Sequence, residues 1–152
     1  MLEGLSESEN NLLLSLIDAK IQFLVVGMSA AILQNAPGVT QDIDLWFAQG
    51  QIDQLSEACR NVGATYYWRD NPPEIAGPGI DQIDVVWHCH GLNSFEEEYN
   101  QAIDIKIAPD KILKVLPLDR IIASKKAVGR PKDKSALPML RAILKSSRHQ
   151  QR

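Results

Sequence analysis

Apolar positions along the chain fall into two rhythms. Leu12, Leu13, Leu14, Leu16 and Ile17 recur at helical spacing, as one face of a 3.6-residue repeat does. Ser6 and Glu9 precede them in the Ser-x-x-Glu spacing of a helix capping box. A first helix is therefore expected from that cap to near Lys20. Phe23-Leu24-Val25-Val26 is instead a short unbroken apolar run closed by Gly27, which fits a strand buried on both faces. Ser29 to Leu33 returns to helical composition, and Asn35-Ala36-Pro37-Gly38 breaks it. Asp42 to Phe47 reads as a second strand, and Ile52 to Val62 as an amphipathic helix ended by Gly63. Ala64 to Trp68 reads as a third strand, and Pro72, Pro73, Gly77, Pro78 and Gly79 as a loop. Ile83 to Trp87 is a fourth strand, and Ser94 to Ala102 a short helix. One or two further strands are expected around Pro109-Asp110, between Ile103 and Leu116. Two helices, near 118–128 and 134–147, close the chain.

Strands and helices interleave without a repeat, which predicts a mixed α/β or α+β domain built on one central sheet with flanking helices. With 152 residues there is room for one domain, its core at about 20–116 and its closing helices at about 118–147. No apolar run reaches the roughly 18 residues of a membrane span. The opening MLEGLSESEN is acidic and polar, unlike a signal peptide. Cys59 and Cys89 read as two reduced thiols. A cytoplasmic protein without a membrane partner is the expectation.

Charge is placed unevenly. Residues 1–124 carry 7 Lys/Arg and 18 Asp/Glu, a net of −11, whereas residues 125–152 carry 9 Lys/Arg and one Asp, a net of +8. The basic end points to an anionic ligand. A solvated helix that balances an acidic body is the alternative.

The acids carry the candidate chemistry. Asp42 and Asp44 lie two apart, so on a strand both face one side while Ile43 and Leu45 face the other. Neighbouring carboxylates raise each other's pKa, and a cation relieves them. Hard oxygen ligands suit Mg²⁺, or Mn²⁺, together with substrate phosphates. A third carboxylate on a neighbouring strand completes a two-metal site for phosphoryl transfer. Asp84, inside an apolar run, is the natural candidate, and Asp81 the alternative. Upstream, Val25-Val26-Gly27-Met28-Ser29-Ala30 places a glycine at a strand-to-helix turn, where backbone N–H groups can face a phosphate.

These features together resemble the nucleotidyltransferase superfamily: a hydrophobic residue and Gly at Val26-Gly27, Asp-hydrophobic-Asp-hydrophobic at Asp42-Ile43-Asp44-Leu45, and a later Asp84. Thr40-Gln41-Asp42-Ile43-Asp44, Leu118 to Lys125 and Arg130-Pro131-Lys132-Asp133 look like the bacterial branch related to abortive-infection and toxin–antitoxin nucleotidyltransferases. The likeness runs from about residue 20 to 140. It implies a nucleotidyltransferase-like fold and transfer of a nucleoside monophosphate from an NTP to a hydroxyl of RNA such as tRNA, of a protein or of a small molecule. It implies Asp42, Asp44 and Asp84 as catalytic metal ligands. Gly27 and Ser29 would line the phosphate turn, and Lys125, Arg130 and Lys132 would meet the triphosphate or a nucleic-acid acceptor. An antitoxin-type partner is implied as well. The family places Gly or Ser directly after the first glycine, where this chain has Met28. The competing reading is a catalytically inactive module of the same fold that binds a nucleotide or a partner.

His88-Cys89-His90 is a second donor cluster, but no further pair stands at zinc spacing. Gly-x-Gly-x-x-Gly, Walker and Gly-x-Ser-x-Gly patterns are absent. Trp46, Trp68 and Trp87 lie in strand-like runs and read as core residues.

Overall fold

The computed structural model describes residues 2–38 and 42–150; Thr40 and Gln41 of the motif context lie outside them. Helix α1 (Glu7–Asp18) opens on the capping box: the Ser6 hydroxyl accepts from the Glu9 N–H, and the Glu9 carboxylate accepts from the Ser6 N–H. Leu12, Leu13 and Leu16 form its buried face. Strand β1 (Phe23–Val26) is buried at all four positions. Helix α2 (Gly27–Leu33), strand β2 (Ile43–Phe47) and helix α3 (Ile52–Arg60) follow. Next come the short strands β3 (Thr65–Tyr67) and β4 (Glu74–Ala76), then β5 (Ile83–Val86) and helix α4 (Phe95–Asn100). The hairpin of β6 (Ile103–Ala108) and β7 (Lys111–Val115) leads into helices α5 (Leu118–Val128) and α6 (Pro131–Gln150).

Five strands form one mixed sheet in the order β5-β2-β1-β7-β6, and β3 and β4 pair separately. β1 runs antiparallel to β2 with Val26 opposite Asp44. β2 runs parallel to β5 with Asp44 opposite Asp84. β1 and β2 sit at the centre, so both of their faces are covered and their residues are almost all apolar, as a doubly covered strand requires. α1 packs on α3 and β7, and α2 on α5, β1 and β2. Leu24, Val25, Leu45, Leu113 and Val115 fill the centre of the core.

Three expectations are revised. Asp42 precedes β2 and stands outside the ladder, because pairing with β5 begins at Ile43, whose N–H donates to the Gln82 carbonyl at 2.7 Å. The Pro- and Gly-rich stretch contains β4, a three-residue partner for β3 placed between the prolines and Gly77. Trp68 is not a core residue: it is 43% exposed, and the Arg69 guanidinium lies 4.7 Å from its ring centre. Among the described residues no helix is long and apolar enough to cross a membrane.

Candidate active site

The site begins where β1 turns into α2. Gly27 turns the chain with φ of +65°, and a Cβ there would lie 2.6 Å from Asp44 Oδ2. Only glycine accepts both the left-handed backbone and the close carboxylate. The Ser29 hydroxyl is buried behind this turn. It donates to the Val26 carbonyl at 2.7 Å and accepts from the Asp44 N–H at 3.3 Å. It thus ties the turn to β2 and does not line the cavity in front of it.

Asp44 and Asp84 stand side by side on adjacent strands. Burial, with the charges of Asp84 and Asp42, pushes the Asp44 carboxyl up to about 6, against a smaller opposing pull from Lys125. The Asp84 carboxyl is also raised, by partial desolvation against the sheet and by the charge of Asp42, while a hydrogen bond from Asp44 works the other way. A proton shared by two facing carboxyls occupies the place where a cation relieves their repulsion. Among the described residues no group of three or more His, Cys, Asp or Glu is arranged around one metal position. Mg²⁺ commonly takes only one or two carboxylates and completes its shell with phosphates and water, so the pair, with Asp42 beside it, fits such an ion bound together with its substrate.

A cavity of about 540 Å³ opens in front of Asp44. Its basic wall comes from α5, the link after it and α6: Lys125, Arg130 and Lys132 all line it. Asp133, buried beneath them, orders two of the three. Lys125 Nζ donates to Asp133 Oδ1 at 3.2 Å, and Arg130 Nε and a terminal nitrogen donate to Asp133 at 2.7 and 3.2 Å. Both cations hold the Asp133 carboxyl well below its usual range. The paired donors of Arg130 are thereby engaged inside the protein, and the free edge of its exposed guanidinium faces out. Lys125 is mostly buried and reaches both Asp133 and the field of Asp44, so it is the central charge of the cavity. Of the sequence-predicted residues, Gly27, Asp44, Lys125, Arg130 and Lys132 meet at this cavity. Asp84 and Asp42 do not line it: Asp84 stands opposite Asp44 on β5, and Asp42 acts on both carboxyls through its charge. Met28 lines the cavity beside the turn.

The structure adds His88, Cys89 and His90, which sequence reasoning had set aside. The loop after β5 folds back onto α5 at Gly91, whose φ is +76° and where a Cβ would overlap Ala127 and lie 3.1 Å from the Ala123 carbonyl oxygen. That contact brings all three residues to the cavity wall. The two imidazoles are exposed and pack edge to face, 4.9 Å between centres. Burial, with the negative charges of Asp44 and Glu98, pushes the Cys89 thiol up to about 12, which keeps it protonated at neutral pH. The legible signal for this wall was its position directly after the strand that carries Asp84.

No protein-family model matches the chain, and no characterised protein matches it by sequence. A solved structure is similar: ANT(2″)-Ia, an aminoglycoside nucleotidyltransferase, in complex with adenylyl-2″-tobramycin, with a TM-score of 0.59 and 13% identity over 92% of this chain and 89% of that one. The fold is nucleotidyltransferase-like. The mixed central sheet and its flanking helices thus agree with the fold expected from the sequence.

Proposed function

We propose that this protein transfers a nucleoside monophosphate from an NTP to a hydroxyl acceptor. The observation that carries this reading is the in-register Asp44–Asp84 pair next to the Gly27 turn, with Asp44 lining a cavity that Lys125, Arg130 and Lys132 also line. Asp44 and Asp84, with Asp42 beside them, would hold Mg²⁺ or Mn²⁺ jointly with the triphosphate. When bound, the ion supplies charge neutralisation at the reacting phosphate. The Gly27 turn, tied from behind by Ser29, admits the phosphates close to the backbone. Lys125 neutralises charge that builds on the departing pyrophosphate, with Arg130 and Lys132 further out. The acceptor oxygen bonds to the α-phosphorus, and the α–β bridging bond breaks with its electrons leaving on pyrophosphate. The hydroxyl proton passes to the exposed Asp84 carboxylate. Positioning and electrostatics perform most of the work in such a transfer, so few additional groups are needed.

Met28 at the turn favours a second reading, a catalytically inactive module that keeps nucleotide or partner binding. One experiment separates the two. The protein is incubated with Mg²⁺, total cellular RNA and protein, and NTPs labelled at the α or the γ phosphate. Transfer of α label but not γ label, lost in Asp84→Asn, supports the enzyme. NTP binding with no transfer of either label supports the inactive module. The branch resemblance adds a protein partner of antitoxin type, which copurification from the source cell tests.

A further inference from the structure

Helix α6 carries a row of charge that the cavity does not use. Lys134, Arg141, Lys145 and Arg148 are all exposed, and among the described residues none of them makes an ion pair. Arg141, Lys145 and Arg148 follow Pro138 at spacings of four and three residues, which place them within about 60° of arc and along about 11 Å of the axis; Lys134 stands one turn before that proline. Lys132 and Asp133 line the cavity and none of these four does, so the row is a separate surface. Like charges three and four apart repel and weaken a helix. The body could have relieved this repulsion, since residues 1–124 hold 18 acids. Those acids instead pair elsewhere where they pair at all, as in Lys111–Asp18, Lys114–Asp104 and Arg120–Glu98. The basic end therefore does not serve as an internal counterweight to the acidic body.

The surroundings of the row select its occupant. Leu137 and Leu140 on the apolar face of α6 are buried against the body, so the helix has no face to insert into a bilayer. Among the described residues the exposed large hydrophobics are Tyr67, Trp68, Ile112 and Val128, none of them on α6. A protein interface centres on such anchors, and this surface has none. A line of cations without apolar anchors matches a phosphodiester backbone, which presents charge at regular intervals and gains affinity by releasing counterions.

We propose that α6 docks the phosphodiester backbone of a nucleic acid along Lys134, Arg141, Lys145 and Arg148, without reading bases. The proposal does not depend on nucleotidyl transfer, because the row shares no residue with the cavity. The test is fluorescence anisotropy with labelled single-stranded RNAs of about 12 nucleotides and two unrelated sequences, titrated across a series of KCl concentrations. Four phosphate contacts predict a slope of about −3 in log K against log salt. The two sequences bind alike. The quadruple substitution to Gln, helical by circular dichroism, loses most of the slope and at least about tenfold in affinity at low salt. The milder pair Arg141→Gln and Arg148→Gln loses about half the slope, and Arg60→Gln on α3 leaves it unchanged. Absence of RNA binding at about 50 mM KCl would overturn the proposal, as would a slope unchanged in the quadruple variant. Tighter binding of poly-glutamate, or of vesicles rich in anionic phospholipid, would overturn it equally by assigning the row to an acidic protein or a membrane.

Discussion

Replacing Asp44 by asparagine is expected to stabilise the metal-free protein. The Asp44 carboxyl has a pKa of about 6 in the fold against an ordinary value of 3.8. The folded state therefore binds more protons than the unfolded chain between these values, and stability falls as pH rises through that window. Above pH 6 the ionised carboxylate costs up to about 3 kcal/mol. Asparagine keeps the shape and carries no charge to bury beside Asp84, so Asp44→Asn recovers most of that cost at pH 7.5. At pH 4.5 wild type is already largely protonated, and the gain shrinks to about 1 kcal/mol. For a domain of this size the neutral-pH gain corresponds to a rise of about 6–12 °C in Tm. The assay is thermal unfolding of both proteins in EDTA at the two pH values, followed by circular dichroism. Added Mn²⁺ then raises the Tm of wild type more than that of the variant, because an ion bound only by the folded state stabilises it by mass action. A gain that is absent at pH 7.5, or equal at both pH values, would refute the reasoning.

Three further outcomes follow from the same geometry. Gly27→Ala forces a Cβ onto Asp44 Oδ2 in a left-handed backbone, and it should cost about 1–3 kcal/mol in urea unfolding and weaken Mn²⁺ binding measured by calorimetry. Met28→Gly opens the cavity at the turn and should tighten NTP binding several-fold; weaker binding by an intact fold would show that Met28 is accommodated. Glu9 accepts from the N–H groups of Asp81 and Gln82 at 3.0 and 2.6 Å, just ahead of β5; burial raises its pKa, but backbone hydrogen bonds from Ser6, Gln82 and Asp81 outweigh it and leave the pKa lowered. Glu9→Gln should therefore cost about 1–3 kcal/mol at neutral pH. The difference from wild type is full above the ordinary Glu value of 4.5 and shrinks as pH falls below it toward the lowered folded value, so chemical denaturation should find it smaller at pH 4 than at pH 7.

Much of the fold was legible because local rules and burial agree. The Ser6–Glu9 box, the run of β1 and the apolar positions of β2 and β5 each have one low-energy interpretation, and the structure adopts it. The departures share a cause: they depend on partners distant in sequence. Asp42 follows the alternation of β2, yet the ladder starts only where β5 offers Gln82 and Ile83. Trp68 has strand-like neighbours, but the sheet that would bury it is only the two-stranded β3–β4 pair. β4 lies hidden among prolines and glycines because a three-residue strand leaves no period to detect. The carboxylates were visible as Asp-x-Asp and a later Asp84. The three-residue spacing of Arg130 and Asp133 made their pairing readable, whereas the inward turn of the Ser29 hydroxyl, the reach of Lys125 to Asp133 and the folding of His88 and His90 onto the cavity at Gly91 are consequences of packing that no spacing encodes.

The most direct test of the central claim is calorimetric titration of NTP into wild type, Asp44→Asn and Lys125→Gln, each with Mn²⁺ and with EDTA. A nucleotide site built on the Asp44–Asp84 pair predicts NTP binding by wild type that requires Mn²⁺, is lost in Asp44→Asn, and is weakened at least about tenfold in Lys125→Gln, which removes a charge-assisted contact. Equal NTP binding by wild type and Asp44→Asn, or binding indifferent to Mn²⁺, would contradict it.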